Sequence, residues 1–410
     1  MRTHAITSVL LCFTAGLAGA QSPSMEEEAQ RFASRHQNVR PAACARTWRL
    51  PFATRDRQKL GTLRMVSRFG AKRTSYVKGH LHTGADLVPR GRLAAKVMVY
   101  PLAAGAVCSI HLAPPHTTVV IAHRLPSGDA LYSSYKHLTE VSVETGQQVD
   151  HQTALGRLFT RREAREHGGP YAHLHLELRK RFDDWGAASW TTMSRDELEK
   201  RFIDPYAFLE RRLRVQALAA RGLSNATAAR MVAAARELLG IEYELGGRLR
   251  GSVKGIDCQG VIFYALERVS RCGWRSYSTM PTVSVPSEEL GVPVPGLDPA
   301  SVANLDVDLL RPGDVIHLLA SMENPAEPAI GTLGEKPVWV WHVGLYAGGG
   351  DWIHADFVTG QVREESLTGF IAAQGFEGIL ATRMAGGPKP RRCKRHTPMR
   401  LPARPEPDGG

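Results

Sequence analysis

The sequence lacks a second apolar run of membrane-spanning length, an internal repeat and a recognisable nucleic-acid-binding motif. The first absence argues against a chain that crosses the membrane after its N-terminal segment. The third argues against nucleic acid as the partner of a chain whose formal net charge is +12. With 43% hydrophobic residues in a length of 410, the chain can form packed cores and two or three domains.

The N-terminus has the pattern of a secretory signal peptide. A basic residue precedes an apolar run over 5–17, and small residues follow at Ala18-Gly19-Ala20. This pattern predicts cleavage after Ala20 and a periplasmic or secreted protein. The competing interpretation, a membrane anchor, needs a longer run. For an exported protein, a positive charge suits an anionic cell-wall or envelope surface.

Cysteine is scarce, and its count is odd once the signal peptide is removed. Five cysteines then remain, namely Cys44, Cys108, Cys258, Cys272 and Cys393. An odd number leaves at least one thiol unpaired within the chain. Cys44 and Cys108 could form a bridge, which the sequence alone does not establish.

Pattern changes along the chain predict several segments. Short β runs broken by glycine, proline and serine indicate an all-β domain first. Helices followed by strands indicate an α+β domain later. The predicted segments are a signal peptide (1–20), a leader (21–62), an all-β domain (63–185), a helical connector (186–225), an α+β domain (226–385) and a disordered basic tail (386–410).

The stretch GPYAHLHLELR (169–179) alternates strictly between polar and apolar residues. His173, His175 and Glu177 share one face of the predicted strand, and leucines share the other. The leucines would anchor the strand and present the histidines. A solvated polar face that happens to contain histidine is the simpler alternative.

A second ligand-type pair, His82 and Asp86, lies upstream. On an extended strand these residues would be roughly 13 Å apart, so the chain must bend, and Gly84 would permit it. Two imidazoles and one carboxylate form a common catalytic zinc set, which His82, Asp86 and His175 would supply. His80 is an alternative ligand, and His137 is a further histidine in a β context. Five histidines without motif context are interpreted as surface residues: His111, His116, His123, His151 and His167.

These motifs resemble one peptidase family. The runs HTGAD, YKHL, VETGQQVDHQTALG and AHLHLELR, in this order over about residues 63–181, are similar to the lysostaphin-type (LytM-like) zinc endopeptidases. The resemblance implies a lysostaphin-like β fold and Zn2+ held by His82, Asp86 and His175. It also implies catalytic roles for His137 and His173, and cleavage of peptides in bacterial cell walls.

A thiol cluster follows in the second half. Cys258 precedes apolar residues at helical spacing, which places it at a helix N-terminus, where the dipole lowers a thiol pKa. A buried core cysteine is the alternative. His342 and His354, on successive predicted strands, could serve as base and orienting group.

The motifs YELGG, DCQG, LRPGD, WHVGLYAGGG and IHA, over about 226–383, resemble the NlpC-type cell-wall cysteine peptidases with a papain-like core. The resemblance implies that Cys258, His342 and His354 hydrolyse a bond in peptidoglycan stem peptides. Gln259 departs from the serine usual in the family. His317 is an alternative base, although its apolar surroundings favour a core position. Cys258 is expected to be free of a disulfide.

Together these features predict an exported, multidomain, bifunctional peptidoglycan hydrolase with a zinc site and a Cys-His site. Two alternatives stay open. One domain could be catalytic and the other a wall-binding module, or the chain could be a non-catalytic activator of another wall hydrolase.

Overall fold

The structure is a computed structural model that describes residues 39–54, 56–74, 78–91, 96–181, 194–277, 290–387, 390, 392–393 and 397–402. The predicted signal peptide lies outside these ranges. Within them, no helix combines the length and the apolar composition needed to cross a bilayer. The predicted multidomain fold, a β-rich unit followed by an α+β unit, is confirmed.

The first unit is built on antiparallel β-structure. Its strands are β1 Leu63–Ser67, β2 Ala85–Pro89, β3 Met98–Val99, β4 Gly105–His111, β5 Thr118–Arg124, β6 Ala130–Lys136, β7 Leu138–Thr139, β8 Gln148–Val149, β9 Gly156–Leu158, β10 Leu174–Arg179 and β11 Phe202–Ile203. The main sheet has the order β1-β2-β10-β6-β5-β4-β8, with β11 also paired to β10, and β3-β9-β7 form a small second sheet. Strand β10 thus lies inside the main sheet, between β2 and β6.

Three helices accompany these strands: α1 Arg161–Glu166, α2 Arg195–Arg201 and α3 Pro205–Arg221. Helix α3 begins at Pro205 behind the N-cap Asp204, whose carboxylate accepts bonds from two backbone N–H groups. Its residues Phe208 and Leu209 join the core of the β unit, where Trp48 meets Phe208 edge-on at 4.8 Å between ring centroids.

The first core therefore extends beyond the predicted bounds of 63–185. Trp48, Leu50 and Phe52, from the segment predicted as a leader, are fully buried in it. Helix α3, predicted as part of a connector, covers the same core. Trp48, Leu50 and Phe52 recur at every second position, and this alternation is the signal that could have indicated the packing of the segment on the sheet.

The second unit combines an antiparallel sheet with helices. Its strands are β12 Val292–Pro293, β13 Ala300–Ser301, β14 Val315–Ala320, β15 Gly331–Leu333, β16 Lys336–Gly348, β17 Asp351–Asp356, β18 Gln361–Ser366 and β19 Gly378–Arg383; its helices are α4 Asn225–Arg236, α5 Cys258–Ser270 and α6 Leu367–Gln374. The sheet order is β12-β19-β14-β16-β17-β18, with β13 on β19 and β15 on β16. Helices α4 and α5 pack together and share a core with β16 and β17.

The described part of the C-terminal tail differs from the predicted disorder. Cys393 forms a disulfide with Cys272, and Met399 is buried in the core beside α5. The Met399 backbone N–H donates to Glu267 Oε1 at 2.9 Å. A single apolar residue in a basic, proline-rich segment gives no periodic signal. Cys44, Cys108 and Cys258 are free, so the Cys44–Cys108 bridge does not form.

Polar contacts join the two units. Arg46 pairs with Asp306 and Arg212 with Asp298. In addition, Asp129 accepts a bond from the Glu335 backbone N–H at 2.8 Å. The two units are thus docked on each other through charged residues.

Candidate active sites

The strand register brings the first cluster together. Asp86 on β2 lies directly opposite His175 on β10. His82 precedes β2, and its Nε2 lies 2.9 Å from His175 Nδ1 and 3.1 Å from Asp86 Oδ1. Asp86 Oδ1 and His175 Nδ1 are 3.0 Å apart. These three side chains form a possible metal-binding group, and all are buried.

Gly84 allows this arrangement through close approach. A Cβ at Gly84 would lie 2.2 Å from the carbonyl oxygen of Leu176, so only glycine lets the start of β2 pass so near β10. The predicted need for glycine at this position is met, but the reason is space beside the neighbouring strand.

The three converging atoms, His82 Nε2, Asp86 Oδ1 and His175 Nδ1, are arranged as the ligands of a cation would be. His82 Nδ1 faces the Arg68 carbonyl at 2.9 Å and His175 Nε2 faces Glu177 Oε1 at 2.9 Å, so these nitrogens donate protons. The opposite ring nitrogens then turn lone pairs toward Asp86 Oδ1. Three electron-rich atoms about 3 Å apart are stable only around a positive charge, and N,N,O donors are a common zinc set. His82, and not His80, completes this group.

Glu177 anchors the inner side of the site. Besides His175, it accepts bonds from Thr83 Oγ1 at 2.5 Å and from Arg179 Nε at 2.9 Å. Burial opposes its charge, but Arg179 and His175 outweigh burial and hold the Glu177 pKa well below its usual value. The polar face of β10 is therefore buried rather than exposed, while its leucines lie in the core as predicted.

Two further histidines border the group. His137 Nδ1 donates to the Pro115 carbonyl at 2.8 Å, and His173 Nδ1 donates to the Pro170 carbonyl at 2.8 Å. Their rings are 4.9 Å apart, and the His137 ring is 6.2 Å from that of His175. His137 has a φ of 68°, a left-handed conformation that turns its side chain at the end of β6. The structure thus brings all five residues predicted for this site together.

Burial and hydrogen bonding set the charges here. Burial lowers the pKa of His137 to about 2 and also lowers that of His82, so both rings are neutral at pH 7. Burial opposes the charge of Asp86, but the contacts of its carboxylate with the rings of His173, His175 and His82 outweigh burial, so its pKa is lowered and the carboxyl is ionised at pH 7. A neutral imidazole with a free Nε2 can accept a proton.

The second cluster surrounds Cys258, the first residue of α5. The N-cap is Asp257, whose Oδ1 accepts from the Gly260 backbone N–H at 2.7 Å, which confirms the predicted helix N-terminus. Arg248 donates to Asp257 Oδ1 at 2.5 Å and to Gln259 Oε1 at 3.2 Å. The Cys258 thiol contacts the backbone of Val343, the residue after His342.

His342 and His354 form a chain of rings behind the thiol. His342 Nε2 lies 2.8 Å from His354 Nδ1, and His354 Nε2 lies 3.1 Å from Glu365 Oε1. Burial lowers the pKa of His342 to about 3 and that of His354 to about 4. Both rings are neutral at pH 7. The contacts between the two rings and Glu365 use His342 Nε2, and His342 Nδ1 takes no part in them.

The predicted lowering of the Cys258 pKa is wrong for this structure. Burial, followed by the negative charge of Asp257, raises the pKa of this thiol to about 12. The helix-dipole argument did not include the carboxylate of the N-cap Asp257, whose negative charge disfavours a thiolate at Cys258. Among the described residues, no hydrogen bond joins Cys258 to His342.

Several other residues differ from expectation or escaped it. His123 is fully buried and binds the Ala104 carbonyl, so its interpretation as a surface residue is wrong. His317 lies in the core, and both its ring nitrogens lack partners. Glu177 and Glu365 were not predicted to orient the histidines; the spacing of Glu177, two residues after His175 on one strand face, is the signal that could have indicated it.

Comparison with known proteins agrees with this geometry. Residues 80–187 match the model of peptidase family M23. That match confirms the resemblance predicted for the first unit and supports a peptidase. No curated protein matches the chain.

The solved structures to which the chain is similar include NlpC/p60 domains and a putative M23 peptidase. One is the NlpC/p60 domain of the peptidoglycan hydrolase SagA, with 24% identity, 38% of this chain, 98% of that chain and a TM-score of 0.24. Another is a putative peptidase M23 from Pseudomonas aeruginosa, with 20% identity, 45% and 60% coverage and a TM-score of 0.28. A third is an NlpC/p60 family protein from Bacillus cereus, with 23% identity and a TM-score of 0.26; the match covers 38% of this chain and 40% of that protein.

Proposed function

We propose that the chain is a bifunctional peptidoglycan hydrolase that cleaves peptide stems or crosslinks of the bacterial cell wall. The observation that carries the proposal is the meeting of His82 Nε2, Asp86 Oδ1 and His175 Nδ1 within about 3 Å of one another, beside two histidines tied to backbone carbonyls. Such a donor set would hold Zn2+.

When bound, zinc supplies Lewis-acid chemistry, polarising a peptide carbonyl and making water nucleophilic at neutral pH. The protein contributes proton transfer. His137 and His173 each donate Nδ1–H to a proline carbonyl, which leaves Nε2 as the basic atom. One imidazole accepts the proton of the attacking water, and the leaving amine receives a proton in return. Glu177 keeps the ring of His175 in place.

The second site would act through Cys258. A neutral His342 can take the thiol proton as the thiol attacks the peptide carbonyl, and His354 with Glu365 orients and stabilises the resulting imidazolium. The thiol is protonated in the resting site, so proton transfer would accompany attack.

The setting proposed is outside the cytoplasm, on an anionic cell-wall or envelope surface. The N-terminal pattern, the net charge of +12 and the Cys272–Cys393 disulfide support it, because disulfides persist in oxidising compartments.

One observation favours a second candidate, in which only the zinc site is catalytic and the other unit binds the wall. The raised Cys258 pKa and the missing hydrogen bond to His342 describe a thiol that is not activated in this state. A non-catalytic activator is disfavoured because every predicted ligand of the first site is present and meets the others.

The test is digestion of defined peptidoglycan by the wild type, His175→Ala, Cys258→Ala and the double variant, with fragments identified by mass spectrometry. We expect each single variant to lose one class of product and keep the other, and the double variant to release none. A single substitution that abolishes all cleavage contradicts two active sites. Unchanged products from His175→Ala contradict the zinc site.

A further inference from the structure

Two rings with no role in the proposed chemistry lie against His137. The His116 ring is 5.5 Å from the His137 ring, and the Tyr171 ring is 5.1 Å from it. His116 and Tyr171 also meet each other, edge-on, at 5.3 Å. His116 is exposed, Tyr171 is half-buried and His137 is buried. The three rings therefore form one continuous wall from the surface to the catalytic histidine.

The loops that carry these rings are the loops that orient the catalytic imidazoles. His116 follows Pro115, whose carbonyl binds His137, and Tyr171 follows Pro170, whose carbonyl binds His173. The same two loops therefore position both the outer rings, His116 and Tyr171, and the two imidazoles of the site. A peptide that reaches His137 and His173 from this side lies beside both rings.

Tyr171 is held in place by the backbone beneath it. A Cβ at Gly169 would lie 2.6 Å from Tyr171 Cε2 and 2.8 Å from its Cζ, so the ring rests on a residue without a side chain. On the other loop, Thr118 Oγ1 donates to the His116 carbonyl at 2.8 Å. Side chains that are positioned before the substrate arrives bind it at a lower entropy cost.

Neither core packing nor metal binding accounts for the placement of His116 beside Tyr171. His116 is too exposed to contribute much to the core. Among the described residues, the metal-binding group contains His82, Asp86 and His175 and does not extend to His116. Burial, with Lys136 and His111 nearby, lowers the pKa of His116, so this rim carries no charge from its imidazole at neutral pH. An uncharged phenol and imidazole suit amide groups better than carboxylates.

We infer that His116 and Tyr171 are specificity-determining residues that bind an uncharged peptide segment next to the scissile bond of the zinc site. The inference rests on the proposed zinc peptidase function. The Tyr171 hydroxyl and the His116 ring nitrogens exchange hydrogen bonds with substrate amides, while the two ring faces cover the adjoining side chain.

The experiment uses the full chain with Cys258→Ala, so that only the zinc site acts. His116→Ala, Tyr171→Ala and Tyr171→Phe are compared on defined crosslinked peptidoglycan fragments, with zinc content and melting temperature measured for each. His167→Ala is the matched control, because His167 is an exposed histidine at the end of α1. Tyr171→Phe keeps the ring and removes the hydroxyl alone.

We expect His116→Ala and Tyr171→Ala to lower kcat/KM about tenfold, mainly through KM, and Tyr171→Phe to lower it about threefold. Zinc content should stay at the parent value, and His167→Ala should match the parent. Values of kcat/KM within twofold of the parent, or losses that follow loss of zinc or of stability, overturn the inference. A Cys258→Ala parent that cleaves no peptide overturns the proposed zinc activity as well, which separates the two failures.

Discussion

At the scale of the residue, the first site depends on which ring nitrogen of each histidine carries the proton. Backbone carbonyls fix this choice for His82, His137 and His173. For His175 the fixing group is the buried carboxylate of Glu177. Groups that orient metal ligands affect metal affinity nearly as strongly as the ligands themselves.

Glu177→Gln should weaken zinc binding by about 10- to 100-fold. Glutamine keeps an oxygen near His175 but removes the negative charge that faces His175 and Arg179. The measurement is a competition titration with a zinc chelator. Glu166→Gln, at an exposed i,i+4 ion pair on α1, is the control and should bind zinc like the wild type. Equal affinities of Glu177→Gln and the wild type would show that this carboxylate does not support the metal site.

The Cys258 thiol should react slowly with iodoacetamide at pH 7. Its pKa is raised to about 12, so the thiolate fraction falls as pH falls and rises about tenfold for each pH unit below that value. Peptide-level mass spectrometry from about pH 6 to about pH 10 should therefore show a rate that climbs without a plateau. A plateau near neutral pH would mean that the free enzyme holds a thiolate, as the helix-dipole argument alone predicted.

At the scale of the element, β2 and β10 place the first site, and α3 completes the core beneath it. The alternation in GPYAHLHLELR was sufficient to predict the strand and its leucine face. The pairing of Asp86 with His175 was not predictable from spacing, because it depends on the register between two strands whose paired residues lie 89 positions apart in the chain. The family resemblance implied His82, Asp86 and His175 as ligands, and the strand register shows how Asp86 and His175 come together.

Leu209→Ala should destabilise the first unit by about 2–5 kcal/mol, because Leu209 on α3 is fully buried in its core. Chemical denaturation followed by tryptophan fluorescence measures the change. Leu112→Ala is the control, since Leu112 is 72% exposed and should change stability by less than about 0.5 kcal/mol. Equal stability of Leu209→Ala and the wild type would return α3 to the role of a connector.

At the scale of the whole molecule, two unrelated side-chain clusters, one around His175 and one around Cys258, lie in one chain, on units that contact each other through ion pairs. Length and composition predicted two or three domains, and the net charge favoured an anionic partner. They could not predict the contribution of Met399 to the second core, because an isolated apolar residue carries no period. The contribution of 45–52 to the first core was signalled only by the alternation of Trp48, Leu50 and Phe52. Local pattern thus predicts elements well, and long-range packing decides where a domain ends.

The central claim is that His82, Asp86 and His175 hold one zinc ion. The most direct measurement is the metal content of the purified full-length protein, by inductively coupled plasma mass spectrometry, for the wild type and His175→Ala. The account predicts about one zinc per wild-type chain and a large loss in the variant, with both proteins folded by circular dichroism. A folded wild type that takes up no zinc, or a His175→Ala variant that retains the full amount, would contradict it.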